Sequence, residues 1–274
     1  MDSEQRQAIE CLLTTPTFSK SEVRRVGEAL QGKRSLDESR YIEITDWYLD
    51  LLAAVYLVCW PEIEEVLGPR RAQELVTYSS RIKTEDTIVE KLARQRTGLD
   101  RVQDFAGGRF DIDCRLGELR TIASRIQSVL QSHGVSVKEK EYLEETQQGY
   151  RAIHLHITSP AAGRVELQLR TALQAAWANT YEVLADVAGR GIRYDSDFLT
   201  GDEVFDKLAH ELRHASDSLY KFELALDQLP PELSHPLDET HGRIHQELSK
   251  TKKLLIESLD RLASDIVDRG RSTP

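Results

Sequence analysis

Between residues 104 and 170 apolar and polar positions alternate in "FDIDC", "VSVKEKEYL", "YRAIHLHIT" and "RVELQLR". A period of two sends successive side chains to opposite faces and predicts strands. Between the first two, "GELRTIASRIQSVLQSHG" predicts an amphipathic helix. The expected order is therefore strand, helix, strand, strand, strand. The flanks follow the helical period instead. Residues 1 to about 100 read as helical, with Ser3 and Ser19 or Ser21 as N-caps and Gly32 and Gly68 as stops. After Thr171 the helical period returns, broken at "GRGIRYDSDFLTGD" and at Pro230-Pro231. The predicted fold class is α+β (mixed). It has a central mixed β-sheet of about four to five strands flanked by helices, with helical N- and C-terminal extensions. The expected division is 1–75, 76–195 and 196–274.

Two helical segments bear on partners. "WYLDLLAAVYLVCW", residues 47–60, falls short of the roughly 18 residues a membrane-spanning helix needs and contains Asp50. It reads as a buried helix, with Pro61 in the first turn of the next one. No membrane is expected. The last helix, about 238 to 268, sets Ile244, Leu248, Leu255, Leu259, Leu262 and Ile266 on one stripe. That stripe either docks on the core or pairs with a second chain.

Composition narrows the classes further. With 274 residues and 40% hydrophobic content, the chain can bury a proper core. A formal charge of −10 removes the diffuse basic field of a protein that grips nucleic acid mainly through its phosphates, leaving only a local basic patch. Cys11, Cys59 and Cys114 are odd in number and widely spaced, and the first residues lack the regions of an export signal. A cytoplasmic location is expected, with the cysteines as buried small hydrophobes.

Chemistry gathers on one predicted sheet face. Alternation puts Tyr150, Ala152, His154 and His156 together on one strand, and Glu166, Gln168 and Arg170 together on the next. An ordinary solvated antiparallel face has the same pattern. Upstream, "SRIKTEDTIVEKLAR" places Arg81, Lys83, Thr87 and Lys91 at a helix start, where cations, free N–H groups and the helix dipole suit a polyphosphate. "DFAGGRFDID" sets Asp104 beside a Gly107-Gly108 turn, with Arg109 entering a strand. Magnesium takes one or two carboxylates and completes its shell with phosphate oxygens and water, so Asp104 and Glu166 are the candidate metal pair.

Taken together, "RIKTEDTIVEKL", "DFAGGRFDI", "KEKEYL", "GYRAIHLHI", "VELQLRT" and "LQAAWANTYE" resemble the synthetase domain of the RelA/SpoT family, in order from about Tyr78 to Glu182. The resemblance implies a pyrophosphokinase that uses Mg2+ to move a pyrophosphate group from ATP to the 3′-hydroxyl of a guanine nucleotide, making (p)ppGpp. It implies that residues 76–195 are the synthetase domain of a small, single-domain alarmone synthetase or a toxic relative. By the same resemblance Arg81 and Arg109 stack on adenine, and Lys83, Thr87 and Lys91 hold the ATP phosphates. Asp104 binds metal, while Glu166 contacts metal or activates the acceptor hydroxyl, so both are the catalytic residues. Tyr150 stacks on the acceptor base, with His154, Gln168 and Arg170 beside it. One departure is "EETQQ", which stands where relatives often carry a Pro-Lys pair.

Other readings stand beside this one. Toxic relatives pyrophosphorylate the 3′ end of tRNA or make adenosine alarmones, and Arg24-Arg25, Arg70-Arg71 and Lys252-Lys253 are the local cations a tRNA would use. "HELRH", His210 to His214, matches a zinc-protease pattern with Glu223 as its candidate third ligand. An inactive member acting through its last helix is a further alternative. A synthetase left always on would deplete nucleotides, so an antitoxin, a homo-oligomer or the terminal helices are expected to restrain it.

Overall fold

The computed structural model describes residues 3–160, 163–195, 197–229 and 239–272. Four helices come first: α1 (Ser3–Leu13), α2 (Lys20–Leu30), α3 (Glu38–Leu67) and α4 (Pro69–Leu75). The centre comprises β1 (Val76–Ile82), α5 (Glu85–Gln95), β2 (Ala106–Ile112), α6 (Leu116–Ser132), β3 (Ser136–Glu141), β4 (Ile153–Thr158) and β5 (Arg164–Thr171). Three helices follow: α7 (Ala172–Ala188), α8 (Glu203–Asp227) and α9 (Glu239–Ser272). The strands form one mixed sheet in the order β1-β2-β5-β4-β3, so the class is α+β with helical ends.

The chain divides into two compact units. The first comprises Met1–Phe110, Arg120–Lys140 and Ile153–Leu169; the second comprises Asp111–Leu119, Glu141–Ala152 and Arg170–Pro274. In the first unit, Ser19 caps α2 through a capping box with Glu22, as its Ser-x-x-Glu spacing requires. Helix α3 buries Ile44, Tyr48, Leu51, Leu52, Val55, Val58 and Ile63, and α1 packs along it. An edge-on aromatic series, Phe18, Trp47, Tyr48 and Phe105, links the α3 region to the turn before β2, with centroids 5.4, 5.1 and 5.0 Å apart.

Three expectations for this unit are corrected. Residues 76–82 are an edge strand rather than part of a helical run, because Tyr78 packs on Tyr56 and Phe110 at 4.8 and 4.7 Å. Pro61 lies inside α3 instead of opening a new helix. Val58, Cys59, Ile63 and Leu67 are buried on both sides of it, and that packing outweighs the lost N–H donor. The Gly107-Gly108 pair is within β2 rather than in a turn. A Cβ on Gly108 would stand 3.0 Å from the Tyr78 hydroxyl, so its smallness admits that ring.

In the second unit, α7 opens on a capping box between Thr171 and Gln174. It buries Leu173, Trp177, Tyr181 and Leu184 in one apolar cluster with Phe205 and Leu212 of α8 and Leu259 and Ile266 of α9. Trp177 donates its indole N–H to the Leu212 carbonyl at 2.6 Å, and Thr180 donates to the Leu259 carbonyl at 3.1 Å. Thus the α9 stripe docks within its own unit, where Leu259 and Ile266 each stabilise by about 1.5–3 kcal/mol. The side chain of Ile244 and the Pro230-Pro231 break lie outside the described residues.

Candidate active site

Strands β4 and β5 pair antiparallel, with His154 opposite Gln168 and His156 opposite Glu166. The alternate positions, Ile153, Leu155, Ile157, Val165, Leu167 and Leu169, are all buried. A one-residue slip of either strand would turn its three aliphatic residues to the polar side, so the greasy face fixes where the polar face stands. On that polar face, one Glu166 oxygen lies 3.4 Å from His154 Nδ1 and 3.2 Å from His156 Nε2. The other accepts from the Gln168 amide at 2.9 Å. Burial pushes the Glu166 carboxyl up. Hydrogen bonds from His154 and His156, the charge of His154 and the Gln168 amide outweigh burial and hold the group well below the usual carboxylate range. Glu166 is therefore ionised at neutral pH.

A second cluster forms between β1 and β2. Lys83 donates its backbone N–H to the Phe105 carbonyl at 2.9 Å, which lays the segment after β1 along the turn that holds Asp104. The Asp104 carboxylate lies 3.5 Å from Lys83 Nζ and also pairs with Lys91 Nζ from α5. Thr87 stands in the first turn of α5, its hydroxyl 2.8 Å from that of Thr84. Arg81 and Lys83 were expected at a helix start; Arg81 is instead exposed on β1, and Lys83 lies in the link to α5. Arg109 is half-buried on β2. Gly108 faces the Leu167 side chain on the apolar side, so alternation turns Arg109 to the side of Glu166.

The remaining expected residues belong to the second unit. Tyr150 was read as part of the strand bearing His154, but it precedes β4. Gly149 at φ +85° breaks the extended run, and a bridge from Gln147 to Tyr150 closes a turn there. Arg151 is buried and fully engaged: it donates to Ser216 at 3.0 Å and to the Leu143 carbonyl, pairs with Asp217, and lies over the Tyr220 ring at 4.4 Å. Arg170 is likewise buried, gripping Asp111 through two bonds of 2.8 and 3.0 Å and reaching Asn179 at 3.3 Å. It braces the fold where an acceptor-binding side chain was expected.

Metal-ligating atoms converge at one place among the described residues, the trio His154, His156 and Glu166, whose ligand atoms lie within 4.8 Å of one another. Asp104 does not complete that trio. His210 and His214 meet edge to face on the exposed side of α8 with their Nε2 atoms 3.1 Å apart. Glu223, the candidate third zinc ligand, is instead buried against Thr171 and Gln174. Alternation puts His156 on the polar face and assigns it no chemistry. Its importance lies in the cross-strand register with Glu166, and a one-dimensional pattern does not display that register.

Residues 80–185 match the family described as the region found in RelA / SpoT proteins. Uncharacterized proteins of Mycobacterium bovis and Mycobacterium tuberculosis are 38% identical over 191 residues. That alignment covers 69% of this chain and 66% of theirs, so the chain spans just under two thirds of the length of those relatives. Among solved structures, the small alarmone synthetase 1 from Bacillus subtilis bound to its product pppGpp is similar, with 19% identity and a TM-score of 0.44. The match covers 63% of this chain and 93% of that one. The Type VI effector Tas1, solved with its immunity protein, is similar at 17% identity and a TM-score of 0.35, covering 62% and 94%.

Proposed function

We propose that the chain is a pyrophosphotransferase that moves the β,γ-diphosphate of ATP to the 3′-hydroxyl of GDP or GTP, making ppGpp or pppGpp. Residues 76–195 act as the synthetase domain, with 1–75 and 196–274 as helical extensions. What supports this reading is one observation. Within the RelA/SpoT region, an aspartate gripped by two lysines and an ionised glutamate on a rigid sheet face occupy the positions that the family motifs assign to phosphate, metal and acceptor.

Asp104 and Glu166 both fit a divalent cation, since each offers hard oxygens and keeps part of its surface open, 19% and 13% respectively. Mg2+ held by these two residues would neutralise charge on the phosphate oxygens as AMP leaves. Lys83 and Lys91 turn from Asp104 to the incoming phosphates, with the Thr87 hydroxyl beside them. Arg81 and Arg109 stack on adenine, whose flat face suits a guanidinium. Tyr150 stacks on the acceptor base; His154 and Gln168 border the acceptor, and Arg170 acts there through the ion pair that holds Asp111. The acceptor 3′-oxygen bonds to the β-phosphorus and the bond to the α-phosphate oxygen breaks. AMP departs with that electron pair, and the hydroxyl proton passes to solvent.

Glu166 is too acidic to be an effective proton abstractor, because a general base works best with a pKa near the working pH. It orients the hydroxyl by accepting its hydrogen bond. A loose phosphoryl-transfer transition state asks for little more than that positioning and charge stabilisation. The three cysteines are free thiols, which suits a cytoplasmic location where ATP and guanine nucleotides are at hand.

The test is transfer from γ-labelled ATP with Mg2+, offering GDP, GTP, ATP and bulk tRNA separately. Label is expected on the guanine nucleotides and to fall by about 100-fold or more in Glu166→Gln. Label only on tRNA or on an adenine nucleotide would reassign the acceptor. No label on any acceptor would overturn the reading.

A further inference from the structure

We propose that His154, His156 and Glu166 form a binding site for a borderline divalent transition metal such as Zn2+, separate in chemistry from a magnesium-phosphate site. Zinc bonds of about 2.0–2.2 Å to imidazole nitrogen and carboxylate oxygen place neighbouring tetrahedral ligands about 3.3 Å apart. The Glu166 oxygen lies 3.4 Å from His154 Nδ1 and 3.2 Å from His156 Nε2, so two edges of such a tetrahedron already exist. The third edge is within 4.8 Å and closes by small turns of the imidazole rings. Two imidazoles and one carboxylate are a donor set for zinc, cobalt or nickel, whereas magnesium prefers oxygen alone.

The support around the trio fits a metal site as well. All three side chains project from paired strands whose register is held by six buried aliphatic residues. Gln168 holds the second Glu166 oxygen at 2.9 Å, as an outer-shell partner orients a ligating carboxylate. The three side chains retain 11%, 17% and 13% exposure, which leaves an approach from the polar face and an open fourth position. Zn2+ on the trio ties up Glu166 together with His154, which the transfer reaction needs for magnesium and the acceptor, so the site acts as a zinc-dependent brake. That consequence rests on the proposed transfer reaction; the metal site itself does not.

The experiment titrates the full chain with Co2+ alone, without nucleotide, and follows the intense visible bands of tetrahedral cobalt. One saturable equivalent is expected, displaced by Zn2+. Affinity should drop by more than about 100-fold in His156→Gln and in Glu166→Gln, since loss of even an outer-shell partner costs about 10–100-fold. His214→Ala should bind as the unsubstituted chain does, which separates this site from the exposed His210 and His214 pair. Unchanged far-ultraviolet circular dichroism and melting temperature would show that the variants are folded. Bands that are absent, or that persist in both folded site variants, would overturn the site. Zinc should also inhibit transfer, with the inhibition lost in His156→Gln relative to that variant's own rate. Metal binding without inhibition would overturn the brake. A chain that binds cobalt but transfers nothing would sink the transferase reading and leave the metal site standing.

Discussion

Asp104→Asn separates two duties of one carboxylate. With no ligand present Asp104 neutralises part of the charge on Lys83 and Lys91; in the proposed reaction the lysines go to phosphate and the carboxylate goes to metal. Removing its charge therefore helps ATP when magnesium is absent and harms transfer when it is present. At 3.5 Å from Lys83 the pair's attraction is about 5 kcal/mol in an effective dielectric of about 20. Phosphate replaces much of that attraction. What the substitution removes is the repulsion between the carboxylate and a phosphate one lysine head away, on the order of 6 Å. At effective dielectrics of about 20–40 that repulsion is about 1–3 kcal/mol. Partial exposure and salt screening reduce it to about 1–2 kcal/mol, or about 5- to 30-fold in affinity. Calorimetric titration with ATP in excess chelator should show tighter binding by Asp104→Asn, and the gain should shrink as salt is raised. With saturating magnesium the same variant should lose about 100-fold or more in transfer rate. Equal or weaker ATP binding in chelator would refute the placement of Lys83 and Lys91 on the phosphates.

Two predictions concern the second unit. Asp111→Asn should lower its stability by about 3 kcal/mol, because it strands the buried Arg170 guanidinium without its counter-charge; urea unfolding that differs by less than about 1 kcal/mol would refute a bracing role. Glu223 is held above the ordinary carboxylate range by burial. The Asp227 charge adds to that rise, while Thr171, Lys252 and Gln174 oppose it incompletely. Its contribution to stability is therefore full below its unfolded pKa and is lost as pH rises through the raised folded value. Between about pH 4 and pH 7, stability measured by denaturant unfolding should move in favour of Glu223→Gln relative to the unsubstituted chain. Movement in the other direction would show that Thr171 and Gln174 hold the carboxylate charged.

Much of the sheet was legible because its strands alternate. His154, His156, Glu166 and Gln168 are polar exceptions among aliphatic neighbours, and a period of two is enough to place them on one face. Edge strand β1 was not legible, since Ser79, Ser80 and Arg81 are exposed and offer no apolar period, and the packing of Tyr78 on Phe110 is a tertiary fact. Arg170 shows the same limit. In "VELQLRT" it looks equivalent to Gln168, yet the fold brings Asp111 to it and turns it into a brace.

Periodicity, caps and spacing by themselves determined the α+β class, the strand bearing Glu166, a cap at Ser19 or Ser21 and the motifs that resemble a RelA/SpoT region, because each depends on residues near one another in the chain. Tertiary structure alone decided that Lys83 and Lys91 would close on Asp104, that His156 would stand opposite Glu166, and that α9 would dock on α7. Those outcomes depend on register and packing between distant segments. The ionisation of Glu166 follows from them, because a carboxylate takes its pKa from the groups that surround it in space.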